Sequence, residues 1–359
     1  MEKKNKKVVI VLPKLTAGGT ERTAAVLSNY MVSKNIDVTI VLMFKRERFY
    51  ELNDSVKLIE PSNYRERYGK IGSIPFLLFF LRKKIKNENP DSIFCLGYIL
   101  IGLFVSLGLK SKVFISGRSS PDRVRFPNNK MANSLYHFLY MLLRSRVDGI
   151  IAQTHYAKEV YQKKYKCPIK VIPNFLREIK PYDLERKNQI ISMGRCVFEK
   201  GQHFLIEAFA KLKAPKWKLL ILGDGPLKSE LEELAKKLNV SKQIEFLGFQ
   251  KDVDYFLSQS KIFAFTSIIE GYPNALIEGM ANGLAPVSFN CVAGPSDIIN
   301  DGENGFLIDI EDVELFSNKL QLLLDNPLIL KKISKHALKI NETNKLNLVA
   351  GLYVEFLLK

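Results

Sequence analysis

Short apolar runs recur along the chain, and the stretches between them carry apolar residues at helical spacing. In the first half the runs are VVIVLPK (8–14), DVTIVLMF (37–44), VKLIE (56–60), SIFCLG (92–97), KVFIS (112–116), GIIAQ (149–153) and KVIPN (170–174). Strand and helix in alternation predict a parallel, doubly wound sheet, a Rossmann-like α/β domain over residues 1–178. The stretch FLREIKPYDLERKN (175–188) is polar and proline-bearing and reads as an interdomain linker. A second alternation follows: IISMG (190–194), a helix over 200–213, WKLLILGD (217–224), a helix over 226–239, IEFLG (244–248), a helix over 252–260 and IFAFTS (262–267). A second Rossmann-like domain is therefore expected over 188–341. From Asp312 the pattern is helical, Pro327 opens a further helix, and the apolar face of a last one over 345–359 must pack on something.

A length of 359 residues suits two domains of ordinary size, and 47% apolar with 25% charged residues is the composition of a folded protein. The net charge of +17 changes the picture through its distribution. Residues 1–180 hold 33 Lys and Arg against 14 Asp and Glu, whereas residues 181–359 hold 21 against 23. A one-sided field of that kind points to an anionic partner: a phosphate-bearing acceptor, an anionic membrane surface or nucleic acid. Cys95, Cys167, Cys196 and Cys291 form no CxxC pair and have no His at zinc spacing. The apolar run before Pro13 is too short for a signal sequence, and no run reaches transmembrane length, so a cytoplasmic protein is expected.

Candidate chemistry concentrates in residues 262–308. The strand IFAFTS ends in an acidic turn, a short helix over 275–282 follows, and APVSF (285–289) is the next strand. Glu270 and Glu278 lie eight apart, one in the turn and one about a turn into the helix. Between them GYPNA (271–275) offers backbone N–H groups at a helix N-terminus, where an anion such as phosphate is favoured. An acidic side chain beside it can accept from ribose hydroxyls, which makes a nucleotide-sugar cradle; a helix cap with acids in its first turn is the plainer alternative. Gly18-Gly19 after the first strand lets backbone approach a phosphate or sugar, or simply makes a tight turn. The GDG of LGDGPLK (222–228) lacks the third glycine of a dinucleotide fingerprint. Asp252-Val-Asp254 reads as a helix cap before it reads as a metal site.

The stretch EGYPNALIEGMANGLAPV, followed by GPSDIINDGENGFLI, resembles the donor-site signature of the family 4 retaining glycosyltransferases of GT-B fold. SMGRCVFEKGQHF resembles their second donor signature, and GGTER their first-domain glycine loop. The resemblance implies two Rossmann-like domains facing across a cleft, with the last helix crossing back onto the first. It implies that Glu278 binds the donor ribose and that Glu270 lies near the transferred sugar. Arg195 and Lys200 would clasp the diphosphate, where fixed cations stabilise the leaving group, so that Glu270, Arg195 and Lys200 form the catalytic set. Gly19, Gly271, Tyr272, Pro273, Asn274, Ala275 and Leu276 would line the donor, and Gly18 and Arg22 the acceptor. Many members place a His after the strand that here reads KVFIS; Arg118-Ser119-Ser120 stands there instead, and Arg118 is taken as the replacement. The implied reaction moves a hexosyl or N-acetylhexosaminyl group from a UDP-sugar to a hydroxyl of a cell-envelope glycan on a polyprenyl diphosphate carrier. No metal or other cofactor is called for.

IPFLLFFLRKKIKNENP (74–90) runs from an apolar segment into Arg82, Lys83, Lys84 and Lys86. It reads either as an interfacial membrane helix, placing the protein peripherally on the inner face of the plasma membrane, or as a Rossmann core helix. A nucleotide-sugar 2-epimerase of the same architecture stays open as an alternative. So does a basic nucleic-acid-binding protein, although no aromatic-basic interleaving or binding motif supports it and no nucleic-acid partner is expected.

Overall fold

The structure is a computed structural model, and it describes residues 5–118, 120–122 and 129–359. Two compact units divide it, one running up to Asn174 and taking in Asn347–Lys359, the other Phe175–Leu346.

In the first unit the chain runs β1 (Lys7–Leu12), α1 (Gly19–Val32), β2 (Asp37–Leu42), β3 (Lys57–Ile59), α2 (Tyr64–Glu88), β4 (Ser92–Leu96) and α3 (Ile99–Val105). Then come β5 (Lys112–Ser116), α4 (Lys130–Leu143), β6 (Gly149–Ala152), α5 (His155–Gln162) and β7 (Ile169–Val171). All strands are parallel, in the order β3-β2-β1-β4-β5-β6-β7. The runs are apolar throughout because helices cover both faces of such a sheet. Val8 to Leu12 and Ile93 to Leu96 are fully buried.

The second unit continues with β8 (Gln189–Met193), α6 (Gln202–Ala210), β9 (Lys218–Leu222), α7 (Lys228–Lys237), β10 (Ile244–Gly248), α8 (Val253–Gln259) and β11 (Ile262–Phe265). It closes with α9 (Asn274–Ala281), β12 (Ala285–Phe289), β13 (Phe306–Ile308), α10 (Val313–Asp325), α11 (Pro327–Ala337) and α12 (Ile340–Thr343). Its parallel sheet has the order β10-β9-β8-β11-β12-β13. One core layer packs Leu205, Phe209, Phe316 and Leu320 on one face, and a second packs Phe263, Leu276 and Met280 on the other. Residues 175–188, expected as a linker, carry no helix or strand but pack onto this unit. Phe175 and Leu176 are buried there, and the Leu176 N–H donates to the Asn344 carbonyl at 2.8 Å.

The final helix, α13 (Leu346–Leu357), packs on the first unit. Tyr353 and Leu357 are fully buried, Phe356 meets Phe114 edge-on at 5.4 Å, and the Ser92 hydroxyl donates to the Leu357 carbonyl.

One helix of the first unit differs from the pattern-based reading, and a second carries an exposed apolar stripe. α2 begins ten residues before Ile74 and is broken at Gly69, whose φ of +69° suits glycine. It buries a narrow stripe, Leu77, Leu81 and Ile85, and leaves Ile71, Ile74, Phe76 and Phe79 exposed. Arg82 is exposed, as expected of a surface cation, and also caps the end of α3, donating to the carbonyls of Val105 at 3.0 Å and Leu107 at 2.7 Å. α4 buries no residue fully, and its apolar residues Met131, Leu135, Phe138 and Leu142 form one exposed stripe.

Candidate functional site

Because the strands of the second sheet are parallel, the loops that follow β8, β9 and β11 share one edge, where ligands bind in open α/β sheets. Two glycines let those loops close on each other. Gly201 has φ +59°, and a Cβ there would sit 2.2 Å from the Thr266 carbonyl oxygen; at Gly223, φ +137°, it would sit 1.9 Å from that of Gly194. Thr266 Oγ1 donates to the Lys200 carbonyl at 3.2 Å, and the Ile268 N–H to that of Glu199 at 3.0 Å.

These contacts bring Lys200 and Glu270 together. The Lys200 ammonium donates to Glu270 Oε1 at 2.5 Å, with both side chains mostly shielded from water. Arg195 extends, exposed, from the same β8–α6 loop. Glu270 lies four residues before the start of α9, which begins at Asn274 directly after Pro273. Gly271, Asn274 and Ala275 are partly exposed there. Tyr272 and Leu276 point into the core, and the Tyr272 hydroxyl accepts from Asn344 Nδ2 at 2.8 Å. Their side chains are therefore turned away from the loop surface, which leaves the backbone N–H groups that the sequence reading singled out.

Glu278 lies one turn into α9, buried, with Oε2 3.2 Å from Arg177 Nε. The other two nitrogens of Arg177 grip Asp254 at 2.6 and 2.8 Å, and Asp254 also accepts from the Lys180 N–H at 2.9 Å and Asn282 Nδ2 at 3.2 Å. Burial pushes the Asp254 carboxyl up, but the Arg177 hydrogen bonds and charge outweigh it and hold the group below its ordinary value. Of the acidic pair at the start of α8, Asp252 caps the helix, accepting from the Tyr255 N–H at 3.3 Å, while Asp254, in the first turn, belongs to this network. Sequence reasoning missed Arg177 because it sits in a stretch without periodicity, 77 residues from Asp254.

In the first unit, the Tyr50 hydroxyl accepts from the Gly18 N–H at 3.2 Å and donates to the Gly18 carbonyl at 3.0 Å, fixing the turn into α1 at Gly19. The Arg22 N–H donates to the Gly18 carbonyl at 2.9 Å. Arg118 donates to Thr23 Oγ1 at 2.6 Å, Asn174 Oδ1 at 2.7 Å and the Tyr353 hydroxyl at 3.1 Å. It thus ties α1, the chain beyond β7 and α13 together. Ser119 lies outside the described residues.

Residues 17–177 match the family model described as Glycosyltransferase Family 4, and residues 176–342 the model described as Glycosyl transferases group 1. The chain is a family 4 glycosyltransferase. Two relatives of this glycosyltransferase come from Campylobacter jejuni, N-acetylgalactosaminyltransferases named for acceptors on undecaprenyl diphosphate. One is 29% identical over 92% of this chain and 93% of its own, the other 26% over 92% of each. Anabaena HepE, solved in complex with UDP, superimposes with a TM-score of 0.79 over 98% of this chain and 99% of its own at 16% identity, a likeness of fold. That fold is GT-B.

Proposed function

We propose that this glycosyltransferase moves a hexosyl or N-acetylhexosaminyl group from a UDP-sugar, with retention at the anomeric carbon, to a hydroxyl of a lipid-linked cell-envelope glycan. The observation that carries the reading is the Lys200–Glu270 pair, set with Arg195 at the sheet edge beside the α9 N-terminus. As the bond from the anomeric carbon to the diphosphate oxygen breaks, negative charge grows on the diphosphate. Lys200 and Arg195 stabilise it, and the first N–H groups of α9 add their dipoles. Glu270, relieved of its ion pair, faces the transferred sugar. Glu278, held in place by Arg177, accepts from the ribose hydroxyls. Gly19 joins the donor side, and Gly18, Arg22 and Arg118 serve the acceptor side. UDP is the favoured nucleotide because HepE was solved with it, and the Campylobacter relatives support a lipid-linked acceptor.

No helix among the described residues is long and apolar enough to cross a membrane. The apolar stripe of α4 and the exposed Ile71 and Phe79 of α2, with Lys83, Lys84 and Lys86 nearby, fit instead an interfacial contact with an anionic leaflet. We read the protein as bound peripherally to the inner face of the plasma membrane.

The test is transfer from a panel of UDP- and other nucleotide-sugars to polyprenyl-diphosphate-linked glycans, with the anomeric configuration of the product read by NMR. Activity is expected to survive EDTA, because the cations assigned to the diphosphate are side chains. Loss of activity with chelator, restored by a divalent ion, would overturn the metal-free mechanism; an inverted product would overturn retention.

A further inference from the structure

Behind the exposed stripe of α4 lies a cavity of about 420 Å³, between α4 and α5, that the reaction described above does not use. Its inner end reaches Gly117 and Ser120, just beyond β5. That is the carboxyl edge of the first sheet, shared with the Gly18-Gly19 turn after β1. The volume is that of a small-molecule site.

The walls are tyrosines. Tyr136 and Tyr140 lie 5.9 Å apart with rings inclined by 18°, and Tyr165 stands perpendicular to Tyr140 at 6.0 Å. Tyr161 completes the wall: a Cβ at Gly117 would sit 2.3 Å from its hydroxyl, so the glycine leaves that hydroxyl its place. The Tyr165 hydroxyl is buried beside the Tyr140 phenol, yet completes no hydrogen bond of ordinary geometry among the described residues. A buried hydroxyl left in that state is costly, and a ligand that pairs with it recovers the loss. Burial pushes the Tyr161 phenol up to about 12 and raises Tyr140 and Tyr165 as well, so all three stay neutral donors at physiological pH.

We infer that this cavity is a sugar-binding subsite, which takes one ring of the acceptor glycan on the lipid side of the reacting hydroxyl. Flat aromatic walls with hydroxyls between them match a ring that is apolar on its faces and polar around its rim. An isoprenoid chain would fill the same volume but offer the Tyr165 hydroxyl no polar partner. The cationic side chains of the lining, Arg144 and Lys164, are solvent-exposed, so the interior suits a neutral polyol over an anion. The acceptor role rests on the function proposed above; the affinity for a sugar ring does not.

The experiment is saturation-transfer NMR on the full chain with the methyl α-glycosides of glucose, galactose, N-acetylglucosamine and N-acetylgalactosamine at millimolar concentration. At least one should bind. Tyr140→Ala should abolish that binding, and Tyr165→Phe should weaken it about tenfold. Tyr165→Phe should keep the unfolding midpoint near that of wild type, since it deletes a hydroxyl that completes no hydrogen bond of ordinary geometry, and this separates a lost ligand contact from a lost fold. The bound glycoside should also inhibit transfer competitively against the lipid-linked acceptor and not against the nucleotide-sugar. The subsite is wrong if no glycoside binds, if both variants bind like wild type, or if inhibition competes with the donor. UDP titrated into the same samples reports the donor site separately. Absence of UDP binding and of transfer, with the glycoside still held at the tyrosines, would sink the proposed reaction and leave the sugar site standing.

Discussion

Lys200 and Glu278 are assigned to different stages of one reaction, and their variants should separate accordingly. Lys200→Ala removes a cation that matters most when the diphosphate leaves, so kcat should fall by about 10² to 10³ with little change in donor affinity. Glu278→Ala removes acceptors from the ribose, so calorimetry should show donor affinity weakened by about 1.5–3 kcal/mol. Unchanged affinity in a folded Glu278→Ala protein would dismiss the ribose contact. Arg177 stands behind both acids: Arg177→Ala leaves Asp254 and Glu278 buried without their counter-ion, a loss of about 3–5 kcal/mol that a thermal melt will register. Asp254 adds a pH dependence of known sign. Its folded value is depressed, so its contribution is complete above the unfolded carboxyl value of about 4 and drains away as pH falls through the folded value. Asp254→Asn should lower stability at neutral pH and flatten its decline in acid. Glu270, Glu278, Arg195 and Lys200 could be singled out in the sequence because each lies in a local run of residues at a strand end or helix start. The ion pair of Lys200 with Glu270 and the grip of Arg177 on Asp254 join residues 70 and 77 apart, and no local pattern encodes them.

At the scale of elements, the strands were the easiest to read, since an uninterrupted apolar run between helices has few other homes. Helices α2 and α4 were harder for one shared reason. A stripe of apolar residues at helical spacing announces that something covers it, without saying whether the cover is the core or a lipid surface. In α2 the core takes Leu77, Leu81 and Ile85, while in α4 Met131, Leu135, Phe138 and Leu142 face outward. The double variant Phe138→Ser, Leu142→Ser should therefore float poorly with phosphatidylserine vesicles yet melt like wild type. Replacing Lys83, Lys84 and Lys86 by Gln should cost about 1 kcal/mol each in vesicle affinity, an effect that disappears at high salt. Wild-type protein that ignores such vesicles at low salt would return both helices to a purely structural role.

For the molecule as a whole, the basic excess and the residues assigned to the acceptor belong to the first unit, and those assigned to the donor, Gly19 apart, to the second. The two halves were visible in the sequence as two alternations. The linker read at 175–188 starts where the units divide, directly after Asn174, but its packing onto the second unit was not legible, because single contacts such as Leu176 to Asn344 leave no periodic trace. Removing residues 347–359 should destabilise the first unit selectively. Tyr353 and Leu357 are fully buried, and each such side chain is worth about 1.5–3 kcal/mol. Hydrogen exchange should then rise across β4 and β5 while the second sheet stays protected.

The position of α13 also sets a schedule for synthesis. The strands of the first sheet leave the ribosome early, but the helix that covers Phe94 and Phe114 follows the whole second unit in the chain. At about 5–20 residues per second, translating residues 175–346 takes roughly 10 to 35 s. Throughout that interval the nascent first unit presents an uncovered apolar flank, so the domain that starts first is completed last, and its need for a chaperone is greatest while its neighbour is being made.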